Sequence, residues 1–202
     1  DSRSREIVIN SSSPILDPQG KNLNTVLSFW KKDYPTLYEE AIEDLKHCFQ
    51  IIENVKFVSG NPEISLPKHE FLSFTEKNLN KEIKLFEWSS GILRTLCLIC
   101  LPKTPFKFGN LYYRPSLICI DEIENGLDFN TLEFITDYLK DYSEHMQIIV
   151  SSHSPLMGKF IHPRDWQIVK RKGAHIKISK PTFVEKDLED KLCKLKNSNF
   201  RE

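Results

Sequence analysis

At 202 residues, the chain is long enough to bury one sizeable core and short for two full domains. Its 28 lysine and arginine residues balance 28 aspartate and glutamate residues. No net charge therefore draws the whole chain to nucleic acid or to an anionic membrane, although a local charged patch is not excluded. The longest strongly apolar stretch, residues 92–101, is far too short to span a bilayer, so we expect no membrane partner.

The cysteine pattern predicts free thiols. Five cysteines are scattered along the chain, which favours a reducing, cytoplasmic location. Cys97 and Cys100 form a Cys-x-x-Cys pair, a spacing that also occurs in redox and metal sites. No second pair and no histidine lies near them in sequence, and both stand in an apolar helical run. We therefore interpret them as core residues that pack as small apolar side chains.

The first 87 residues predict a helical part followed by a small antiparallel sheet. The apolar stripe of the second helix includes Ala41, Leu45 and Ile52 at the spacing of a core-facing side. Beyond it, short segments of period two are separated by turn residues. The predicted elements are a strand at 6–10, a loop at 11–22, helices at 23–32 and 35–54, and strands at 55–58, 63–66, 71–75 and 83–86.

The rest of the chain predicts alternating helices and strands. The elements are a helix at 90–101, a loop at 102–115, a strand at 117–122, a helix at 129–144, a strand at 147–150, a hairpin of 165–170 with 174–178, and a helix at 185–196. The fold class expected is α/β, with a partly parallel sheet flanked by helices and a small antiparallel segment. We expect a single domain, 1–202, with regions at 1–82, 83–170 and 171–202.

The most informative feature is a pair of acids after an apolar strand. Residues 117–120 are apolar and lead directly into Asp121 and Glu122. A strand that ends in two carboxylates is suited to holding Mg²⁺ and polarising a water beside a nucleotide phosphate. Two further segments stand at suitable distances: residues 88–94 (Trp-Ser-Ser-Gly-Ile-Leu-Arg) upstream, and a second apolar strand that leads into His153 downstream.

These three segments, in this order, resemble the C-terminal half of an ATP-binding-cassette (ABC) ATPase core. The match is best to the RecF-like, SMC-related bacterial AAA ATPases, and it is specific over residues 83–155. The resemblance makes residues 88–94 the signature motif, 117–122 the Walker B strand, 125–128 the D-loop and His153 the switch histidine. The chain departs from the family pattern in having Trp88 where Leu is usual, Ser90 where Gly or an acid is frequent, and Ile123 where Pro often follows the glutamate.

The resemblance implies roles across a dimer interface for four residues. Ser89, Ser90 and Gly91 open a helix, whose free N–H groups suit a phosphate. In the family this motif contacts the γ-phosphate of ATP held by the opposite subunit, and Asp128 acts across the same interface. A plain helix cap is the alternative for Ser89. Arg94 either supports the same site or forms a surface ion pair.

The resemblance implies catalytic roles for three more residues. Asp121 would reach Mg²⁺ through a bound water, and Glu122 would orient and deprotonate the attacking water. His153 would sense the γ-phosphate. Glu124 lies close in sequence and is the main competitor for the role of general base.

No P-loop is present in this sequence. Such a loop needs Gly, four residues, then Gly-Lys-Ser/Thr, and neither Gly20-Lys21 nor Gly158-Lys159 fits. The chain also opens on Asp1 without a methionine. We therefore expect the C-terminal part of a longer ATPase, with an upstream Walker A lobe in the same protein, that is inactive by itself.

The expected cofactors are ATP and Mg²⁺. The expected partners are a second copy of the protein and either DNA or an effector nuclease, in DNA repair or anti-phage defence. A non-catalytic interaction module, derived from a split or decayed ATPase, is the alternative. A metal-dependent nuclease that uses Asp121, Glu122 and Glu124 is less favoured, because no second acidic cluster accompanies them.

Overall fold

The computed structural model describes residues 15–59, 70–79, 81–108 and 111–181. The chain divides into two compact units, Asp1–Val150 and Ser151–Glu202, and each is described by itself. Among the described residues, none of the helices combines the length and the apolar character needed to cross a membrane. The predicted strand at 6–10, the strand at 63–66 and the helix at 185–196 lie outside the described residues.

Two helices open the first unit. Helix α1 (Leu23–Asp33) forms where it was predicted, but α2 (Pro35–Cys48) ends six residues before the predicted boundary at 54. The prediction was wrong because Ile52 continues the apolar stripe of the helix. Ile52 is indeed buried, but it is the first residue of strand β1 (Ile52–Ser59), in a segment that pairs with β2 along its length.

A three-stranded antiparallel sheet follows in the order β1–β2–β3, with β2 at Glu70–Glu76 and β3 at Glu82–Lys84. The predicted strand at 83–86 is shorter than expected, because Leu85–Glu87 forms a 3₁₀ turn. Trp88 is fully buried, its ring meets Phe74 of β2 edge-on at 4.9 Å, and its indole N–H donates to the Ile83 carbonyl. Trp88 thus fixes the sheet to the start of the next helix.

Helix α3 (Ser90–Cys100) leads into a 3₁₀ turn, Leu101–Lys103. The Lys103 side chain is almost fully buried, and its ammonium group lies 3.1 Å from Glu40 and 3.2 Å from Asp44. These ion pairs tie the end of α3 to α2. The loop predicted at 102–115 instead contains a short hairpin, β4 (Phe106–Phe108) and β5 (Leu111–Tyr113). The prolines that suggested a loop lie outside both strands.

The four cysteines that the structure describes are free, and of the Cys-x-x-Cys pair Cys100 is buried whereas Cys97 is half-buried. Cys100 is fully buried. Burial raises the pKa of Cys97 to about 12, and it raises the pKa of Cys100 well above its ordinary value. Protonated, buried thiols are poor nucleophiles and poor metal ligands. The interpretation as a core residue is confirmed for Cys100, and the raised pKa of Cys97 also disfavours a redox or metal role for the pair.

A parallel strand pair carries the second half of the first unit. Strand β6 (Leu117–Ile120) pairs with β7 (Gln147–Val150), and helix α4 (Phe129–Ser143) connects them. The alternate residues Ile118 and Ile120 are buried. With an antiparallel sheet, a parallel pair and flanking helices, the structure confirms the α/β fold class.

The second unit is small. It contains α5 (Met157–Phe160), a 3₁₀ turn (Pro163–Asp165) and the antiparallel strands β8 (Ile168–Lys172) and β9 (His175–Ser179). The predicted hairpin is confirmed, although both strands lie farther along the chain than expected. Asp165 belongs to the 3₁₀ turn that Pro163 opens, and the strands meet at Gly173, whose φ of 59° suits the tight turn.

Candidate functional site

The acid pair lies at the carboxyl end of a parallel strand. Asp121 and Glu122 follow β6 directly, and both side chains are exposed. In open α/β sheets, this end of the strands is where ligands bind. The residue that follows, Ile123, is only 1% exposed and anchors the turn in the core.

The backbone at Glu122 adopts the left-handed conformation. Its φ is 47°, a value that is uncommon for a residue with a side chain and that carries a conformational cost. Its carbonyl accepts a hydrogen bond from the Asn125 amide at 3.0 Å, which closes the turn. Non-glycine residues held in this region occur preferentially at functional sites. Sequence reasoning gave no sign of this conformation.

Glu122 and its competitor Glu124 differ in exposure. Glu122 is exposed, whereas Glu124 is partly buried, and the Glu124 carbonyl accepts from the Leu127 amide at 3.0 Å within the turn. A general base must reach a water and a substrate. The geometry therefore favours Glu122 over Glu124 for that role, which stays a prediction.

The predicted signature segment forms a capped helix start. Ser89 is the N-cap of α3, and its hydroxyl oxygen accepts from the Ile92 amide at 3.2 Å. The predicted N-cap position of Ser89 is therefore confirmed, while its role towards a phosphate stays a prediction. The cap leaves the amides of Ser90 and Gly91 without an intrahelical acceptor, as at every helix start. Such amides, at the positive end of the helix dipole, can bind a phosphate.

The signature segment and the predicted D-loop are in contact. A Cβ atom at Gly91 would lie only 2.8 Å from the carbonyl oxygen of Gly126, so this position has no room for a side chain. Gly126 itself has a φ of 74°. Two glycines, 35 positions apart in the chain, thus bring α3 and the turn after β6 into close approach.

Arg94 joins the same two segments. Its terminal Nη2 donates to the carbonyl oxygens of Asp121 at 3.1 Å and of Glu122 at 2.7 Å. Sequence reasoning left open whether Arg94 supports the site or forms a surface ion pair, and these bonds favour the first. No sequence signal could have identified the acceptors, because every residue has a backbone carbonyl.

Asp128 is the N-cap of α4. Its carboxylate accepts from the amides of Asn130 at 2.9 Å and Thr131 at 3.1 Å, and from the Thr131 hydroxyl at 2.6 Å. The Thr131 hydroxyl bond, helped by the backbone amides, lowers the pKa of Asp128 below its ordinary value. Asp128 therefore has a structural role, and its action across a dimer interface stays a prediction.

His153 belongs to the second unit, three residues after the end of β7. Its side chain is exposed. The segment around it is shaped by side-chain bonds, because the Ser154 amide donates to the Ser152 hydroxyl and the Leu156 amide to that of Ser154. The switch role of His153 stays a prediction.

The carboxylates at this site suit Mg²⁺ better than a metal ion that takes all of its ligands from protein side chains. In the part of the chain that the structure describes, no three His, Cys, Asp or Glu side chains converge as metal ligands. Mg²⁺ usually keeps several waters and takes one or two carboxylates together with substrate phosphates. An exposed Asp121 fits that requirement. Within the described ranges, Asp121, Glu122 and Glu124 do not converge as the three carboxylates of a nuclease site would.

The fold defined by these elements is similar to that of SMC ATPase heads. A structure described as "Structural biochemistry of ATP-driven dimerization and DNA stimulated activation of SMC ATPases" has a TM-score of 0.52 and 15% identity, over 80% of this chain and 92% of that one. An SmcHead bound to the C-winged helix domain of ScpA has a TM-score of 0.55 and 15% identity, over 80% and 47%.

A third similar structure is the Smc head domain of Pyrococcus furiosus with an extended coiled coil, bound to the C-terminal domain of ScpA. Its TM-score is 0.54 at 15% identity, over 88% of this chain and 41% of that one. This chain therefore spans less than half the length of two of these three relatives. No curated protein matches the sequence.

The chain belongs to the family described as "AAA domain, putative AbiEii toxin, Type IV TA system", whose profile matches residues 8–157. This match includes the predicted signature segment, the acid pair, the predicted D-loop and His153. It confirms the expectation of an SMC- and RecF-like ATPase fold at the level of the family.

Proposed function

We propose that this chain is the C-terminal part of an ABC-type ATPase that binds and hydrolyses ATP at a dimer interface, in DNA repair or anti-phage defence. One observation carries the proposal: Arg94 of the signature helix donates to the backbone of both acids of the Walker B strand. The contact of Gly91 with Gly126 adds the D-loop to the same cluster. The signature helix, the end of the Walker B strand and the D-loop are thus held together, and the resemblance gives all three a role in ATP hydrolysis.

The chemistry assigned to the acid pair needs few groups. Phosphoryl transfer depends mainly on positioning and on neutralising charge. Asp121 would hold Mg²⁺ through water, and the metal would supply charge neutralisation at the phosphates. Glu122 would orient the attacking water and accept its proton. The turn supports these roles because the backbone of both residues is fixed by Arg94, while both carboxylates face solvent.

The proposed dimer uses the start of α3. Ser89 and the amides of Ser90 and Gly91 would contact the γ-phosphate of ATP held by the partner, and Asp128 would act from the D-loop beside them. The exposure of Ser89 and Ser90 supports this arrangement. His153 would sense the γ-phosphate, as the resemblance implies.

An upstream Walker A lobe would supply the phosphate cradle that this sequence does not contain. The strand pair β6–β7 supports the need for a further layer. Leu117 and Ile149 are each about half exposed, at 50%. Parallel strands are normally covered on both faces. The same uncovered apolar side chains favour the alternative, a non-catalytic module that covers them with a partner protein.

Substitution of Glu122 by Gln in the complete protein, with its Walker A lobe, distinguishes these candidates. The change removes the proton acceptor and leaves the metal ligand and the backbone turn, so hydrolysis should be abolished while ATP binding persists. The ATP-bound dimer should then accumulate, as measured by steady-state phosphate release and by size-exclusion chromatography with and without ATP.

Glu124→Gln is the matched control, since it changes the neighbouring glutamate by the same atoms and should retain hydrolysis. If Glu124→Gln is inactive and Glu122→Gln is active, the base has been assigned to the wrong acid. A complete protein that neither binds nor hydrolyses ATP would reject the ATPase and leave the interaction module.

A further inference from the structure

The zero net charge of the chain conceals a strong separation of charge. Residues 1–150 carry 16 lysine and arginine residues against 22 acids. Residues 151–181 carry seven lysine and arginine residues and a single acid, Asp165. The described part of the second unit is therefore strongly basic, and a positive local field can attract a polyanion although the whole chain is neutral.

The register of the β8–β9 hairpin places its three lysines on one face. In its register Lys170 lies opposite Lys177, and Lys172 lies opposite His175, so these four side chains share a face. The other face carries Val169, Ile176 and Ile178 together with Arg171. We refer to Lys170, Lys172 and Lys177 as the lysine face. All three side chains are exposed, and none forms an ion pair with a residue that the structure describes.

The arrangement is unfavourable for the hairpin alone. Like charges placed directly opposite each other destabilise an antiparallel pair, and Lys170 faces Lys177 in this way. An anion bound between them would relieve the repulsion. Lys170 and Lys172 are two residues apart along β8, which corresponds to about 7 Å at the usual rise of a strand. That spacing is similar to the distance between successive phosphates of a nucleic-acid strand.

We propose that the lysine face binds the phosphate backbone of double-stranded DNA without regard to sequence. Lysine is depleted from protein–protein interfaces, where arginine and aromatic residues are enriched, so an acidic protein is the less suitable partner. No Phe, Tyr or Trp side chain lies on this face to stack on exposed bases, which disfavours single strands. A two-stranded ribbon also has the dimensions that the major groove of B-DNA admits.

The test measures binding of the 202-residue chain to a fluorescently labelled duplex of mixed sequence by anisotropy, without nucleotide and over a range of salt concentrations. Three lysine–phosphate contacts predict a slope of about −2.7 for log K against log salt. The Lys170→Gln, Lys172→Gln, Lys177→Gln triple variant should bind at least about tenfold more weakly at low salt, with a slope near zero.

The matched control is Lys32→Gln, Lys77→Gln, Lys140→Gln, which changes the net charge equally at exposed lysines of the first unit. It should bind like the unmodified chain. Circular dichroism checks that both variants fold, and removal of the opposed lysines should not harm the hairpin. Equal binding by all three proteins would overturn the proposal, as would equal loss in both variants.

Competition experiments test whether another polyanion binds the lysine face as well as DNA does. Unlabelled duplex should displace the probe, whereas poly-glutamate and phosphatidylserine vesicles at the same charge concentration should not. Displacement by either one to the same extent would replace DNA by an acidic protein or by a membrane surface. Because the assay contains no ATP, its failure leaves the proposed ATPase untouched, and an inactive ATPase would leave the DNA result standing.

Discussion

Gly91 is a residue of the candidate site where even a small side chain has no space. Its position beside the Gly126 carbonyl would place a new Cβ at 2.8 Å from a backbone oxygen. We predict that Gly91→Ala lowers the free energy of unfolding by about 1–3 kcal/mol, the usual cost of forcing extra atoms into a packed contact. Urea denaturation followed by circular dichroism measures this change.

Ser90→Ala is the control for this substitution. Ser90 is exposed in the same helical turn, so its truncation changes helix propensity without a steric conflict. Its effect should stay within about 0.5 kcal/mol. Equal stability of Gly91→Ala and Ser90→Ala would mean that α3 and the turn after β6 are not in the contact described.

At this scale, the sequence predicts local features and misses contacts between distant residues. The N-cap at Ser89 and the place of Asp121 and Glu122 after a strand follow from neighbouring residues alone. The approach of Gly91 to Gly126 and the bonds of Arg94 join segments about 30 positions apart. No local pattern carries that information, so Arg94 could not be assigned from the sequence.

Among the elements, α4 depends on the cap that Asp128 provides. The carboxylate holds two amides and one hydroxyl at the start of the helix. Asp128→Ala should lower the free energy of unfolding by about 0.5–2 kcal/mol at neutral pH, the usual effect of losing an N-cap. Asp128→Asn retains one acceptor oxygen and should lose less.

The charge of Asp128 adds a dependence on pH. Because its pKa is lowered in the folded state, the charged form stabilises the fold at every pH above the ordinary aspartate value of about 3.9. This contribution is lost as the pH falls through the lowered pKa. The stability difference between the unmodified chain and Asp128→Asn should therefore be constant near neutral pH and shrink below about pH 4. A difference that does not change down to the acid transition would contradict a charged cap.

Element boundaries show where local patterns compete. Helices α1, α3 and α4 and strand β7 are predicted within a residue or so, because the apolar pattern and the neighbouring boundary residues agree, including the side-chain caps that open α3 and α4. At residues 49–54 they conflict, since Ile52 satisfies a helical stripe although tertiary pairing makes it a strand residue. Strands β4 and β5 were missed because three-residue strands are too short to show a period.

On the scale of the whole molecule, composition hides organisation. The net charge of zero gives no support to a polyanion site, yet the register of one hairpin gathers three lysines on one face. Likewise, length and composition predict an ordinary globular chain, while the half-exposed Leu117 and Ile149 on the parallel strands are what supports the proposed further layer. Both conclusions require knowledge of which side chains share a face.

The proposal of a composite site makes a prediction for Ser89. In the complete protein, Ser89→Arg would place a long cation where a small cap and free amides are needed to receive the partner's γ-phosphate. It should block ATP-dependent dimerisation while monomer ATP binding and the fold persist, since losing the bond to the Ile92 amide costs only about 0.5–2 kcal/mol. Light scattering with and without ATP, in a Glu122→Gln background that prevents hydrolysis, measures the dimer fraction.

Ser89→Ala is the matched control, because it removes the same cap bond without adding bulk and should dimerise far better than Ser89→Arg. If Ser89→Arg dimerises as well as the parent, Ser89 is a helix cap only, and the signature segment has no part in a shared nucleotide site.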